Sequence, residues 1–276
     1  MTSSPEAVDI SEREDAFVKL VADGNDFALL DGDLQPEPED RPDLGIWACR
    51  HRSGIGADGL LLLRRTGAAS IDLTVVNPDG SIAKMCGNGA RCAAYYALAT
   101  GMGSPLAVEL GQHSLEARLT GGLVEVSSPQ FGGVAGPIRL LGLDFFTVNT
   151  GTEYAVAFVD DIDSLDVASL GQQIRYHPRF APGGTSVSFV QQCADGFKVR
   201  TYERGNEAET DSCGSSAVAC VIVARHLALT SDDLVRVHNR SDTALSVRMT
   251  GDCLPFDGLT LTGPARVVYT GSVEWP

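Results

Sequence analysis

Basic charge is scarce in this chain. Lysine occurs only at Lys19, Lys84 and Lys198, and 21 Lys and Arg residues stand against 36 Asp and Glu, a formal net charge of −15 at pH 7. Nucleic acid is bound through basic surface that displaces counterions from phosphate, so it is excluded as a partner, and an anionic membrane surface is excluded for the same reason. No apolar run approaches the roughly 20 residues that span a bilayer. Met1 to Asp15 has neither a basic n-region nor the apolar core of a secretory signal. It reads as a frayed extension ahead of a first strand at Phe17. The expectation is a self-repelling cytoplasmic protein.

Other signals are missing too. The seven cysteines are odd in number, which does not fit a disulfide framework in a chain without a secretory signal. Neither Cys86-x5-Cys92 nor Cys213-x6-Cys220 has zinc-ligand spacing, and none of the five histidines falls in a ligand or triad pattern. No Gly-Lys-Ser/Thr or spaced triple glycine marks a phosphate loop. No metal and no cofactor is therefore expected. Cys92 and Cys220 read as packed thiols inside helices, and Cys49, Cys193 and Cys253 as structural.

What is present is a succession of short strands with few helices. Phe17 to Asp31 reads as a strand broken by a turn at Gly24-Asn25-Asp26, and Trp47 to Gly59 as a loop. Leu60 to Leu63 and Asp72 to Val76 read as strands, with a strong turn at Asn77-Pro78-Asp79-Gly80. A helix opens at Cys86 and stops near Thr100 at Gly101 and Gly103. Three strands follow, Leu106–Leu110, Ser114–Leu119 and Leu123–Ser127, and Gly132 to Pro137 reads as the crossing into a second domain. There, Phe145 to Val159 holds strands around Thr150-Gly151-Thr152, and Asp163 to Gln173 reads as a helix capped by Asp163 and Ser164. Ser186–Gln191 and Gly196–Tyr202 are strands, a second long helix runs from Cys213 to about Leu229, and Leu234 to Val273 returns to strands. This is an α+β pattern. A chain of 276 residues suits two domains, expected at 1–131 (joined by the strand at 263–276) and 132–262, similar lobes with a cleft between them.

Each lobe carries the same run. Met85-Cys86-Gly87-Asn88-Gly89-Ala90 and Ser212-Cys213-Gly214-Ser215-Ser216-Ala217 both place a cysteine ahead of an Ala-rich helix. One cysteine in such a place is ordinarily a core or cap residue; two in matching contexts argue for chemistry. A thiol of ordinary pKa near 8.5 is mostly protonated at neutral pH. A helix N-terminus favours the thiolate by about 0.3–1 kcal/mol, up to about 2 when partly buried, which is about one pKa unit and places the thiol near neutrality. The small residues Gly87-Asn88 and Gly214-Ser215 leave backbone N–H groups open to a carboxylate, where they stabilise charge as an α-proton leaves. One thiolate as base and one thiol as acid give racemase or epimerase chemistry.

These residues resemble a known family. Cys86-Gly87-Asn88-Gly89-Ala90-Arg91-Cys92 and Tyr202-Glu203-Arg204-Gly205 with Glu209-Thr210 and Cys213-Gly214 are similar to the two signatures of diaminopimelate epimerases. Gly24-Asn25-Asp26-Phe27, Gly54-Ile55-Gly56-Ala57-Asp58 and Asn77-Pro78-Asp79-Gly80-Ser81 match in the same order. The resemblance implies two lobes related by a pseudo-twofold axis, the active site in the cleft between them, a homodimer, and interconversion of LL- and meso-2,6-diaminopimelate without pyridoxal phosphate or metal. It implies Cys86 and Cys213 as the base and acid pair, and Gly87, Asn88, Gly214 and Ser215 around the reacting carboxylate. Asn25, Asn77, Glu203 and Arg204 would hold substrate, the last three at its distant end, where Arg204 can grip a carboxylate in bidentate fashion. Read alone, Glu203-Arg204 is also a surface ion pair, Asn25 and Asn77 are also turn residues, and Asp58 caps a turn.

The chain departs from the family at several places. Gly151 is followed by Thr152-Glu153-Tyr154 where Asn-Pro-His is usual. A substrate-binding Asn is replaced by Ser186, whose shorter side chain implies a water-mediated contact. Ser216 stands where glycine is usual and is expected to crowd the helix start. Val21-Ala22-Asp23 replaces a His-Gly-hydrophobic run. These changes bear on the distant end of the substrate, which leaves a related racemase for another amino acid as the second reading. A protein that binds an amino acid without turnover is the third, and has no need of two thiols. A structural or redox protein with a Cys86–Cys213 disulfide as its working state is the last.

Overall fold

Apolar residues at alternate positions build half-buried strands, as in the Ala-Leu-Ser-Val-Arg-Met-Thr segment, where Leu245, Val247 and Met249 face inward. Continuous apolar runs such as Leu60 to Leu63 build strands covered on both faces. A computed structural model describes residues 9–10, 16–32, 42–128, 133–241, 243–251 and 256–274. The chain divides into two compact units, 1–127 with 263–276, and 128–262. The boundary expected at 131/132 lies outside the described residues, as do Gly132 and Cys253.

The first unit holds β1 (Ala16–Ala22), β2 (Asn25–Asp31), α1 (Pro42–Cys49), β3 (Gly59–Gly67), β4 (Ser70–Val76), α2 (Gly87–Ala99), β5 (Leu106–Leu110), β6 (His113–Thr120) and β7 (Leu123–Ser127). The second holds β8 (Ala135–Leu140), β9 (Leu143–Asn149), β10 (Glu153–Phe158), α3 (Val167–Arg175), β11 (Ser186–Cys193), β12 (Gly196–Glu203), β13 (Ala208–Thr210), α4 (Gly214–His226), β14 (Leu234–His238), β15 (Ala244–Thr250) and β16 (Gly258–Pro264). The last strand, β17 (Arg266–Ser272), pairs antiparallel with β1 in the first unit.

The two units repeat one pairing scheme. From β17 the first runs β1 antiparallel, β2 antiparallel, β3 parallel, β4 antiparallel, β5 parallel, then β6 and β7 antiparallel. From β8 the second runs β9, β10, β11, β12, β14, β15 and β16 with the same succession of senses. In each, the strands surround one helix that is apolar on nearly all sides: Ala90, Cys92, Ala93, Ala94 and Tyr96 of α2, and Ala217 to Ala224 of α4, are buried. The architecture is the expected α+β repeat of similar lobes.

Several local readings change. The first hairpin turns at Asp23 and Gly24, both at positive φ (59° and 84°), one residue earlier than expected, as a two-residue type I′ turn requires. The segment expected to be a loop from Trp47 begins inside α1. The helix expected from Asp163 starts at Val167, because the Asp166 carboxylate, not Asp163 or Ser164, accepts from the Ser169 N–H at 3.1 Å. β8 occupies part of the expected crossing, and the short β13 adds an antiparallel partner to β12. α4 ends at His226, a turn earlier than expected. Ile10, within the stretch read as frayed, is buried and its N–H donates to the Tyr96 hydroxyl at 3.0 Å. Among the described residues, no helix is long and apolar enough to cross a membrane.

Candidate active site

Cys86 is the N-cap of α2, with extended backbone (φ −148°, ψ 98°), and its Sγ accepts from the Gly89 N–H at 3.3 Å. The glycine keeps this approach uncrowded. A Cβ there would sit 3.1 Å from Leu61, 3.2 Å from the Cys86 sulfur and 3.3 Å from Val75. At Gly87 the same addition meets nothing within 4 Å, so the position has open space on its side-chain face.

The next residue, Asn88, is nearly buried. Its Nδ2 donates to Asn25 Oδ1 at 3.4 Å, and its Oδ1 accepts from Arg91 Nη2 at 2.7 Å. Arg91 is fully buried, with Asp23 at 3.7 Å. Asn25 in turn donates to Asp58 Oδ2 at 2.8 Å, and Asp58 and Asp26 exchange backbone-to-carboxylate bonds of 3.1 and 3.2 Å. Lys19, buried, closes the chain on Asp26 and the Gly56 carbonyl. Cys86, Gly87, Asn88 and Asn25 therefore form one connected group at the start of α2. Asp58, outside the expected site, is what holds Asn25. Asn77 sits in its own turn, donating from Nδ2 to Ser81 Oγ at 3.0 Å while its carbonyl accepts from Gly80.

Cys213 caps α4 with nearly the same backbone (φ −143°, ψ 109°), yet its sulfur makes no capping bond. It lies instead 3.1 Å from the Tyr154 hydroxyl and 3.4 Å from Ser215 Oγ, and those two oxygens are 2.8 Å apart. The Ser215 carbonyl accepts from Thr150 Oγ1 at 3.2 Å, tying the β9–β10 turn to the helix start. Burial pushes the Cys213 thiol up to about 12, and the neighbouring Glu203 carboxyl adds to the rise, against the donors Ser215 and Tyr154. This corrects the expectation of a thiol near neutrality. Desolvation of the thiolate outweighs the helix N-terminus. Burial also raises the Glu203 carboxyl and raises the Tyr154 phenol well above its usual value.

Ser216 does not crowd the helix. Its buried hydroxyl lies 2.8 Å from Ser188 Oγ and 2.7 Å from Thr201 Oγ1, hydroxyls that β11 and β12 supply. Ser186 is fully buried and its Oγ accepts from the Arg204 N–H at 3.1 Å. That bond fixes the backbone of Arg204, whose Nη1 reaches the Gly183 carbonyl at 3.4 Å. The structure thus groups Cys213, Ser215 and Glu203 at the start of α4, where Gly214 is the first helical residue, and couples Ser186 to Arg204. Tyr154 is the residue that sequence reasoning passed over. It stood out only as a departure after Gly151, and nothing in the local pattern says that its hydroxyl reaches a thiol on another element.

Comparison with known proteins follows the same halves. A family model described as Diaminopimelate epimerase matches residues 17–128 and 146–268. A diaminopimelate epimerase of Methanocella arvoryzae is 37% identical over 276 residues, covering 94% of this chain and 96% of that protein. Those of Aquifex aeolicus and Archaeoglobus fulgidus are 35% and 36% identical, covering 94% and 88% of this chain and 97% and 95% of theirs. Among solved structures, a PhzF-family phenazine biosynthesis protein of Bacillus anthracis shares the fold with a TM-score of 0.73 at 12% identity, over 94% of this chain and 99% of that one. A hydroxyproline epimerase of Agrobacterium vitis does so with a TM-score of 0.70 at 14% identity, over 94% and 90%.

Proposed function

The chain belongs to the diaminopimelate epimerase family, and from that premise we propose that it interconverts LL- and meso-2,6-diaminopimelate with Cys86 and Cys213 as the two proton carriers. It is an isomerase, and the reaction serves lysine and peptidoglycan precursor synthesis. The observation that carries the residue assignment is the repetition: two cysteines capping two helices with matching backbone, in two units of one topology. One thiolate removes the α-proton, and the electron pair of the broken C–H bond moves into the carboxylate. The other thiol delivers a proton to the opposite face. The enzyme ends with its protonation exchanged, and solvent restores it.

The backbone N–H groups opening α2 and α4, with Asn88 and Ser215, offer donors to the carboxylate as charge builds. Cys213, buried and beside Glu203, rests as the thiol and so as the acid. When it has to carry charge, Tyr154 and Ser215 are the hydrogen-bonding hydroxyls beside its sulfur. Asn25, Asn77, Glu203 and Arg204 complete the substrate contacts in this reading, with Ser186 acting on Arg204 through its backbone. The reading invokes no cofactor, and it includes a cytoplasmic homodimer, checked by light scattering on the purified protein.

Incubation with LL-diaminopimelate in heavy water tests the function. The expected result is meso isomer carrying deuterium at the inverted α-carbon; neither isomer nor label would overturn the reading. One observation favours a second substrate. The Ser186 hydroxyl is taken by the Arg204 backbone, which leaves the distant amino-acid end fewer side-chain partners. Label appearing instead in another amino acid with a shorter or apolar side chain would move the assignment to that substrate with the chemistry intact.

A further inference from the structure

Among the described residues and outside the thiol sites, one cluster of chemically competent side chains stands out. Cys193 ends β11, Asp195 is in the turn to β12, and His238 ends β14. Their ligand atoms all lie within 4.8 Å of one another. We propose that Cys193, Asp195 and His238 form a three-ligand site for a divalent cation of the zinc class.

Three features build this site. The turn comes against β14 because Gly196 (φ +147°) pairs there: a Cβ would stand 2.0 Å from the Arg236 carbonyl oxygen. Register then fixes the partners, with Cys193 opposite Gly196 across the hairpin and Lys198 opposite His238 across the parallel pair. The distances fit a metal. The Cys193 sulfur is 3.7 Å and the His238 Nε2 2.9 Å from Asp195 Oδ1. Zinc bonds of about 2.3 Å to sulfur and about 2.0–2.2 Å to nitrogen and oxygen give tetrahedral edges of about 3.3–3.6 Å, against 3.7 and 2.9 Å for the two edges to Asp195 and less than 4.8 Å for the third.

The donor set matches as well. A thiolate, an imidazole and a carboxylate are the ligands zinc takes. The second Asp195 oxygen accepts from Arg236 Nη1 at 3.0 Å, which orients the carboxylate as outer hydrogen bonds do in metal sites. Cys193 and Asp195 border a surface cavity of about 440 Å³, which gives water access to a fourth position. Binding displaces the Cys193 thiol proton to solvent. The nearby Arg236 charge and the exposed setting make it a weaker site than a four-ligand structural centre. Its effect is to staple the β11–β12 turn to β14.

Cobalt(II) titration of the reduced, chelator-treated full-length protein tests this. The expected result is one bound equivalent with a near-ultraviolet thiolate-to-cobalt charge-transfer band and visible bands of tetrahedral intensity, all bleached by zinc. Cys193→Ser should remove the charge-transfer band, and His238→Gln should weaken binding by about tenfold or more, with circular dichroism confirming that both variants fold. A wild-type protein without the band overturns the proposal. So does a band that survives Cys193→Ser, or one lost only on replacing Cys86 or Cys213, since the cobalt would then sit on other thiols.

Discussion

The starts of α2 and α4 carry the same run on the same backbone, yet their thiols have different surroundings. Cys86 is half-buried and receives the N–H of its own helix from Gly89. Cys213 is buried and borders Tyr154, Ser215 and Glu203. Three residues beyond each cysteine, Gly89 rests on the apolar Leu61 and Val75, whereas Ser216 meets hydroxyls from Ser188 and Thr201. A helix N-terminus is therefore common to both sites and decides neither. What ionises a thiol here is how much water it loses and which side chains replace that water.

The largest effect breaks the comparison at its centre. Cys86→Ala and Cys213→Ala should each lower epimerisation by about 10²–10⁴-fold or more, because each removes the proton carrier for one face. Turnover of diaminopimelate in heavy water measures it, and near-full activity in either variant would remove the two-thiol mechanism. Next comes the position three residues on. Gly89→Ser puts a side chain against Leu61, Val75 and the Cys86 sulfur at 3.1–3.3 Å, an overpacking cost of about 1–3 kcal/mol. Ser216→Val in the other unit leaves Ser188 and Thr201 to each other, 3.2 Å apart, and costs about 0.5–1.5 kcal/mol for its different reason, the hydrogen bonds lost. Denaturation by urea should show both losses. If Gly89→Ser is neutral, the two helix starts are interchangeable and the contrast drawn between them fails.

Much of this was legible beforehand, for identifiable reasons. Strands such as Leu106–Leu110 and Leu123–Ser127 declare themselves by alternation and by the turns that bound them, and Gly101 stops α2 where a left-handed residue is needed. The two cysteines stood out because they recur in one pattern. What escaped depends on side chains meeting across elements. Tyr154 reaching Cys213, Asp58 holding Asn25, and Ser188 and Thr201 answering Ser216 are all non-local. The ionisation of Cys213 escaped for the same reason, since burial cannot be read from the five residues around it. The departures at Ser216 and Tyr154 were visible, but only the structure shows that each is matched by partners.

Two substitutions separate the influences on Cys213, with opposite signs. Glu203→Gln removes a negative neighbour that raises the thiol, so the pH at which Cys213 ionises should fall from about 12 toward the ordinary thiol range. Tyr154→Phe removes a hydrogen bond that lowers it, so ionisation should move further up. The test is the pH dependence of Cys213 alkylation, followed on its peptide by mass spectrometry in a Cys86→Ser background. Alkylation at a fixed alkaline pH should be faster than the parent in Glu203→Gln and slower in Tyr154→Phe. Shifts of the same sign would mean that the variants act by opening the pocket to water rather than through charge and hydrogen bonding.

The smallest effect concerns the other ends of the helices. After α2, Gly101 takes positive φ (96°) and the N–H of Met102 reaches back to the Ala97 carbonyl at 3.0 Å. After α4 the same closure forms, Leu229 N–H to Ala224 carbonyl at 2.9 Å, but the left-handed residue is Ala228 (φ 57°). An L-residue with a Cβ pays about 1 kcal/mol for that conformation, whereas glycine adopts it freely. Glycine gains more freedom in the unfolded chain, so the net gain is smaller than the strain. Ala228→Gly should therefore stabilise the protein by a few tenths to about 1 kcal/mol, seen as a higher urea midpoint with unchanged slope. Gly101→Ala should destabilise by a comparable amount. If both substitutions are destabilising, Ala228 is held by packing of its methyl group, and the second unit ends its helix by a different balance of forces than the first.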